Sequence, residues 1–336
     1  MTTHGHHARP TAPPRLFAVV GTLVAVLTVV LIAFTWPAVR SEPRSVPIVV
    51  TGNAEATRSV LSTLALEAPG TFEPTVVTDR AAATSAIAHR DAYGAIVAGP
   101  DGTELLTASA ASPAVAQFLT QYGARLRGTG VAPVRITDLV PAPAQDPRGG
   151  GLLAGAIPLL LGGIAGSMGL ARLVRSPGKR LVGGVAFSIL GGLALTAVDQ
   201  YWLGALTGDF WANAGVVALG IGSILLCLLG LARLGGFRPL ALGAAFVLLV
   251  GNPLSGLATA PELLPTGWGT FGQFLPPGAT ATALRSVAFF DGSAAARPLI
   301  VLGAWCVAGL ALCTLGAARQ RLTLRLQPTP GRAVHA

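Results

Sequence analysis

Six long uncharged runs, separated by polar segments, set the pattern of this chain: Leu16–Val39, Gly149–Ala171, Leu181–Val198, Phe210–Ala232, Pro239–Pro261 and Pro298–Ala318. Each is about 18 to 24 residues long, enough at about 1.5 Å rise per helical residue to cross a hydrocarbon layer of about 30 Å. A helix in a water-soluble core has little reason to be apolar on every face for that distance. The pattern predicts a polytopic α-helical membrane protein with six transmembrane helices.

Between the first and second runs the pattern changes period. Residues 40–148 alternate short β-branched runs with amphipathic stretches. Val46–Val50, Thr75–Val77, Tyr93–Ala98, Glu104–Thr107 and Val134–Leu139 read as strands. Ala54–Glu67, Ala81–His89 and a stretch from Ser112-Pro113 to about Leu126 read as helices. The turn Gly99-Pro100-Asp101-Gly102 folds the fourth strand back on the third as a hairpin. Alternation of this kind predicts a small α/β domain inserted between helices 1 and 2. The Pro-rich stretch 141–147 then forms a stiff linker into the membrane.

The last polar segment, 258–297, is unusually apolar for an external loop. Trp268, Phe271 and Phe274 stand among Pro261, Pro265, Pro276 and Pro277. Amphipathic aromatics suit the membrane interface, so this stretch predicts a re-entrant element on the outer side. Small residues at helix-packing spacing, Gly151 and Gly155, Gly162 and Gly166, and Gly184, Ser188 and Gly192, predict close helix contacts within the bundle.

Charge gives the pattern a direction. Arg9, Arg15, Arg172, Arg175, Lys179, Arg180, Arg233, Arg238, Arg319, Arg321, Arg325 and Arg332 all fall on one side of the six crossings, which carries no Asp or Glu. Short basic loops mark the cytoplasmic face. This places residues 1–15 and 319–336 in the cytoplasm of a multi-pass protein of the cell membrane, with residues 40–148 extracytoplasmic. The first run is too long for a cleaved leader and has no small-residue cleavage site after Trp36-Pro37, so it reads as a retained anchor. The net charge of +9 lies in these basic ends, which face anionic lipid headgroups rather than nucleic acid. A chain 52% hydrophobic and 11% charged fits the same class.

Candidate chemistry is sparse. Cys227, Cys306 and Cys313 all lie in predicted spans, which leaves no disulfide framework for the soluble domain. His4, His6 and His7 in the tail read as scattered residues rather than as metal ligands. Asp199 sits at an outer boundary beside Gln200, Tyr201 and Trp202, and no carboxylate lies deep in a span. An ion-coupled transporter would place ionisable groups there. Gly178-Lys179-Arg180 lacks the residues of a phosphate loop, and His89 with Asp91 lacks a nucleophile for a triad. No catalytic, metal-binding or cofactor-binding residue is predicted.

One stretch carries a family likeness. Gly251-Asn-Pro-Leu-Ser-Gly256, then Pro261-Glu-Leu-Leu-Pro265, Leu275-Pro-Pro-Gly278 and Ala283-Leu-Arg285 resemble the exit from the fifth helix in ABC-2 type exporter permeases. Arg90-Asp-Ala-Tyr-Gly-Ala-Ile-Val97 looks like the central strand of such a permease's outer domain. The order of parts resembles the YhgE/Pip (phage infection protein) permeases. The resemblance implies a homodimer or heterodimer of six-helix subunits, bound to a separate ATP-binding cassette subunit that holds the ATP. It points to Pro253, Gly256, Glu262, Pro265, Pro276, Pro277 and Arg285 as the outer re-entrant element. It makes Arg172, Arg175, Lys179 and Arg180 a candidate ATPase-coupling loop, though membrane anchoring alone also explains those charges. The expected function is outward movement of an amphipathic or lipid-like substrate. A different class stays open: a membrane-anchored surface module whose outer domain binds a ligand or a cell-envelope partner without transporting it.

Overall fold

The computed structural model describes residues 13–99, 102–128, 134–257 and 259–326. The tail bearing His4, His6, His7 and Arg9, the two central residues of the predicted turn (Pro100 and Asp101), Ala258 and Arg332 lie outside the described residues, as do the side chains of Arg321 and Arg325.

The chain opens with helix α1 (Pro13–Val39) and then forms a sheet domain. Its elements are β1 (Val46–Gly52), α2 (Ala54–Glu67), β2 (Phe72–Val76), α3 (Arg80–Ala88), β3 (Gly94–Gly99), β4 (Gly102–Thr107), α4 (Pro113–Gly128) and β5 (Val134–Asp138). The five strands lie in the order β2-β1-β3-β4-β5. All neighbours are parallel except β3 and β4, which form the expected hairpin, with Ile96 opposite Leu105 and Ala95 opposite Leu106. The period of two sorts the core. Ile48, Val50, Ile96 and Leu105 pack on one face against α2 and α4, while Val49, Ala95 and Leu106 pack on the other against α3. Two side chains set the helix starts: Asn53 accepts from the Ala56 amide at 2.8 Å, and Asp79 from the Ala82 amide at 2.8 Å. The second strand runs from Phe72, earlier than the predicted Thr75. Its Phe72 ring packs with Phe118 and Tyr122, which a reading of β-branched residues alone overlooks.

Among the described residues, five helices are long and apolar enough to cross a membrane: α1, α5 (Gly150–Leu173), α6 (Pro177–Ala197, extended by a π-helical turn, Val198–Trp202), α7 (Phe210–Gly235) and α11 (Ala296–Leu326). The fifth predicted run, Pro239–Pro261, is not one continuous span. It begins as α8 (Phe237–Phe246), widens into a π-helical turn (Val247–Gly251) and breaks at a single 3-10 turn, Pro253–Ser255. Pro253 has no amide hydrogen to extend the helix, and Gly256 takes φ +67° to redirect the chain. Hydropathy alone does not register this break. Beyond it the chain makes a short 3-10 turn (Pro261–Leu263), then α9 (Trp268–Gly272) and α10 (Pro276–Phe289).

Helix α7 is the axis of the bundle and most of its length is buried. Contacts along it give the directions of its neighbours. Gly163 meets Ile221 and Ile224, and Gly166 meets Leu225, so α5 runs parallel to α7. Gly184 meets Leu225 and Leu229 while Gly192 meets Ala214 and Ala218, so α6 runs antiparallel. On α11, Gly309 lies against Leu226 and Cys227, and Gly316 against Arg233, which makes it parallel. The Gly184–Ser188–Gly192 face packs as expected: all three residues are buried on the α7 side.

These directions sort the charges. The end of the bundle away from the sheet gathers Arg172, Arg175, Lys179, Arg180, Arg233 and Arg238, with no carboxylate among the described residues there. Acidic groups at the sheet end act as helix caps. Asp146 accepts from the Gly150 and Gly151 amides at 2.8 and 2.7 Å, and Asp209 from the Ala212 amide at 2.7 Å. Each places a negative charge at a helix N-terminus, where the peptide dipoles favour it.

Candidate functional site

The sheet domain is joined to the broken-helix segment through side chains far apart in sequence. Tyr93, at the mouth of β3, donates its hydroxyl to Glu262 Oε2 at 2.8 Å. Arg90 takes φ +65°, and its guanidinium donates to the Thr282 carbonyl at 3.0 Å and to Ser286 Oγ on α10. The same group lies 5.4 Å from the centre of the Phe290 ring. Ser112, at the start of α4, donates to the Thr259 carbonyl at 2.6 Å. Two backbone bonds, from the Glu42 amide to the Leu263 carbonyl and from the Arg44 amide to the Glu262 carbonyl, lace the exit from α1 onto the same segment. Ala260 and Leu263 complete one face of the sheet-domain core, and Phe290 completes the other.

At this junction lies a cavity of about 960 Å³, lined on the sheet-domain side by Arg44, Arg90, Asp91 and Tyr93. On the other side are Glu262, Thr266, Thr270, Gln273, Thr282 and Arg297. Arg285, 3% exposed, is buried within electrostatic reach of Arg90, Tyr93 and Glu262. It donates to the Leu257 carbonyl at 3.3 Å, and its Nε finds no acceptor among the described residues. Burial holds the Arg90 guanidinium below its ordinary pKa, with Tyr93 and Glu262 acting in the opposite sense. Burial beside the Glu262 carboxylate drives the Tyr93 hydroxyl well above its ordinary range, so it is a donor at every physiological pH. Among the described residues the ion pairs within 4 Å are Arg44–Glu42 and Arg80–Glu104, so neither Arg90 nor Arg285 has a close carboxylate.

The predicted outer-element residues divide into two groups. Glu262 and Arg285 come together with Tyr93 and Arg90. Pro253 and Gly256 make the helix break, and Pro276 and Pro277 open the first turn of α10, where a missing amide hydrogen costs nothing. Pro265 lines the cavity. The segment is tightly built: a Cβ added to Gly272 would collide with the Leu254 carbonyl. Sequence reasoning misses Arg90 and Tyr93 as site residues. Their partners lie 169 to 196 positions away, and the one local signal is an Arg and a Tyr flanking the entry to an apolar strand.

The four basic residues expected in one loop do not share one. Arg172 lies in the last turn of α5, Arg175 in the link, and Lys179 and Arg180 in the first turn of α6. Pro177 opens that helix one turn earlier than predicted, at the position proline favours. The helix dipole disfavours cations there. Arg180 offsets this by donating its Nε hydrogen to the Val174 carbonyl, and Arg172 sits 4.4 Å above the Phe237 ring.

Comparison with known proteins finds no family model, no curated protein and no solved structure that matches this chain.

Proposed function

We propose that this chain is the membrane subunit of an ABC-2 type exporter, moving an amphipathic substrate outward with energy from a separate ATP-binding cassette subunit. In this reading it resides in the cell membrane, both termini are cytoplasmic, and the sheet domain lies outside. Two six-segment subunits, alike or different, form the translocation unit, with α8 and the broken segment serving as the sixth. The observation that carries the proposal is the Pro253–Phe289 segment. It joins the outer domain to the α7 axis through Tyr93–Glu262 and Arg90–Ser286, so a tilt of the bundle would be passed to the domain as a rigid displacement. The basic cluster Arg172, Arg175, Lys179 and Arg180 lies at the opposite end, where an ATPase would dock.

The test is extraction of the full chain from its native membrane in mild detergent. An ATP-binding cassette protein is expected to copurify and to be lost from the variant K179E/R180E. Recovery of the chain without any ATPase, at every detergent strength that keeps it folded, would refute the proposal.

The second reading, a surface module without transport, draws on the same cavity, because a ligand site between domain and membrane needs no moving bundle. The two part on one exchange. Replacing Gly251–Arg285 with an unrelated loop abolishes export in the first reading. In the second it leaves a working anchor.

A further inference from the structure

The cavity beneath the sheet domain holds more positive charge than the chain neutralises. Three guanidiniums line it, those of Arg44, Arg90 and Arg297, and a fourth, that of Arg285, is buried within electrostatic reach of Arg90. Three carboxylates face them. Glu262 and Asp91 line the cavity, and Glu42 is paired with Arg44 at 2.8 Å. Glu262 is already engaged by Tyr93. Half-buried Arg90 and buried Arg285 thus have Glu262 within electrostatic reach but no carboxylate within 4 Å among the described residues. A buried guanidinium without a counter-charge is costly, and an anion entering the cavity would relieve that cost. Arg297 is the most available of the four: it is exposed, and its described contact is the Phe274 ring, 5.4 Å from the guanidinium carbon.

The walls say what kind of anion. Helix α9 and its flanks turn Thr266, Thr270 and Gln273 toward the cavity. The aromatic side chains interleaved with and following them, Trp268, Phe271 and Phe274, are each 41–49% exposed. Trp268 also meets Trp36, near the end of α1, edge to face at 5.8 Å. Indole and phenyl groups grouped at the end of a membrane-length helix belong at headgroup depth. The polar side of α9 thus encloses a basic cavity at the level where lipid headgroups lie. Pro261, Leu264, Pro265 and Pro298 add an apolar lining for the first carbons of a tail.

We propose that this cavity binds the acidic headgroup of a membrane amphiphile, a phosphate or carboxylate carried on an acyl or isoprenoid chain, with Arg90 and Arg297 as its ligands. The site goes beyond the export reading and does not depend on an ATPase. A chain that never meets one still presents the cavity.

Dioleoyl phosphatidylglycerol serves as the probe, dioleoyl phosphatidylcholine as its neutral counterpart and inorganic phosphate as the free anion. Purified full-length chain in a neutral detergent is titrated with each, and retained lipid is read by native mass spectrometry alongside the unfolding midpoint. Phosphatidylglycerol is expected to bind at one saturable site and raise the midpoint, while phosphatidylcholine does neither. R297E is expected to weaken phosphatidylglycerol by roughly tenfold, the loss of one charge-assisted contact. R175E, at the far end of the bundle, is expected to leave it unchanged. R90Q is read only after circular dichroism and gel filtration show a folded chain, since Arg90 also anchors α10. R297E alone keeps the proposal testable if R90Q does not fold. Equal binding of the two lipids would overturn the site, as would equal effects of R297E and R175E. Phosphate that saturates the site and displaces the lipid at comparable concentration would assign it to a soluble anion instead.

Discussion

At the residue scale, the junction rests on a few polar contacts among apolar packing. Tyr93→Phe removes the hydroxyl that donates to the Glu262 carboxylate from the sheet domain. The expected loss is about 1 kcal/mol, because a half-buried carboxylate is left with a poorer partner. It should appear as a lower unfolding midpoint of the full chain in detergent, with faster amide exchange across 259–275. On β4, next to the edge strand β5, Glu104 accepts from Arg80 at 2.8 and 3.1 Å and from Thr137 at 2.9 Å. The hydrogen bond from Arg80, helped by that from Thr137, depresses its pKa below the ordinary 4.5. A depressed carboxylate stabilises the fold at pH values above its unfolded pKa and loses that contribution as pH falls through the folded one. Protection of the β4–β5 amides should therefore decline as pH falls below the ordinary carboxylate range. Glu104→Gln should flatten that decline and leave protection near neutrality slightly lower. An unchanged acid profile in the variant would rule out Glu104 as its source. Neither contact is visible in the sequence. Hydrogen-bonded pairs such as Tyr93 and Glu262 are brought together by tertiary folding and leave no periodic trace in a single chain.

At the element scale, legibility depends on how local the signal is. The helix Ala54–Glu67 is legible to its last residue, because Asn53 caps it and apolar side chains recur along one face. The β3–β4 hairpin is likewise legible from its turn and its apolar strands. The fifth apolar run is not, because hydropathy sums side chains and does not register that a π-helical turn, Pro253 and Gly256 break the backbone. Helix contacts track the small residues. A Cβ on Gly309 would stand 2.6 Å from the Cys227 amide nitrogen and 2.6 Å from the Leu226 carbonyl carbon. Gly309→Leu should force α11 off α7 at a cost of about 1–3 kcal/mol, seen as a lowered midpoint and new reactivity at Cys227 and Cys313. Gly21→Leu, on α1 with nothing within 4 Å, is the control. It should stay within about 0.5 kcal/mol of the parent. Equal losses in both variants would mean that α11 is not seated on α7 as described.

At the scale of the whole molecule, the fold has two ends of opposite character. The sheet domain, the capping carboxylates, the interfacial aromatics and the basic cavity occupy one. Arg172, Arg175, Lys179, Arg180, Arg233 and Arg238 occupy the other, with no carboxylate among the described residues there. A lipid bilayer between them explains both the exposed apolar faces of α1, α5, α6 and α11 and the separation of charge. Substituted-cysteine labelling puts this topology to the test. In a chain whose Cys227, Cys306 and Cys313 are replaced by serine or alanine, single cysteines at Asp91 and at Gly178 are exposed in intact cells to a thiol reagent that does not cross membranes. Labelling is expected at position 91 without lysis and at position 178 only after it. Labelling at 178 in intact cells, with protection at 91, would refute the topology.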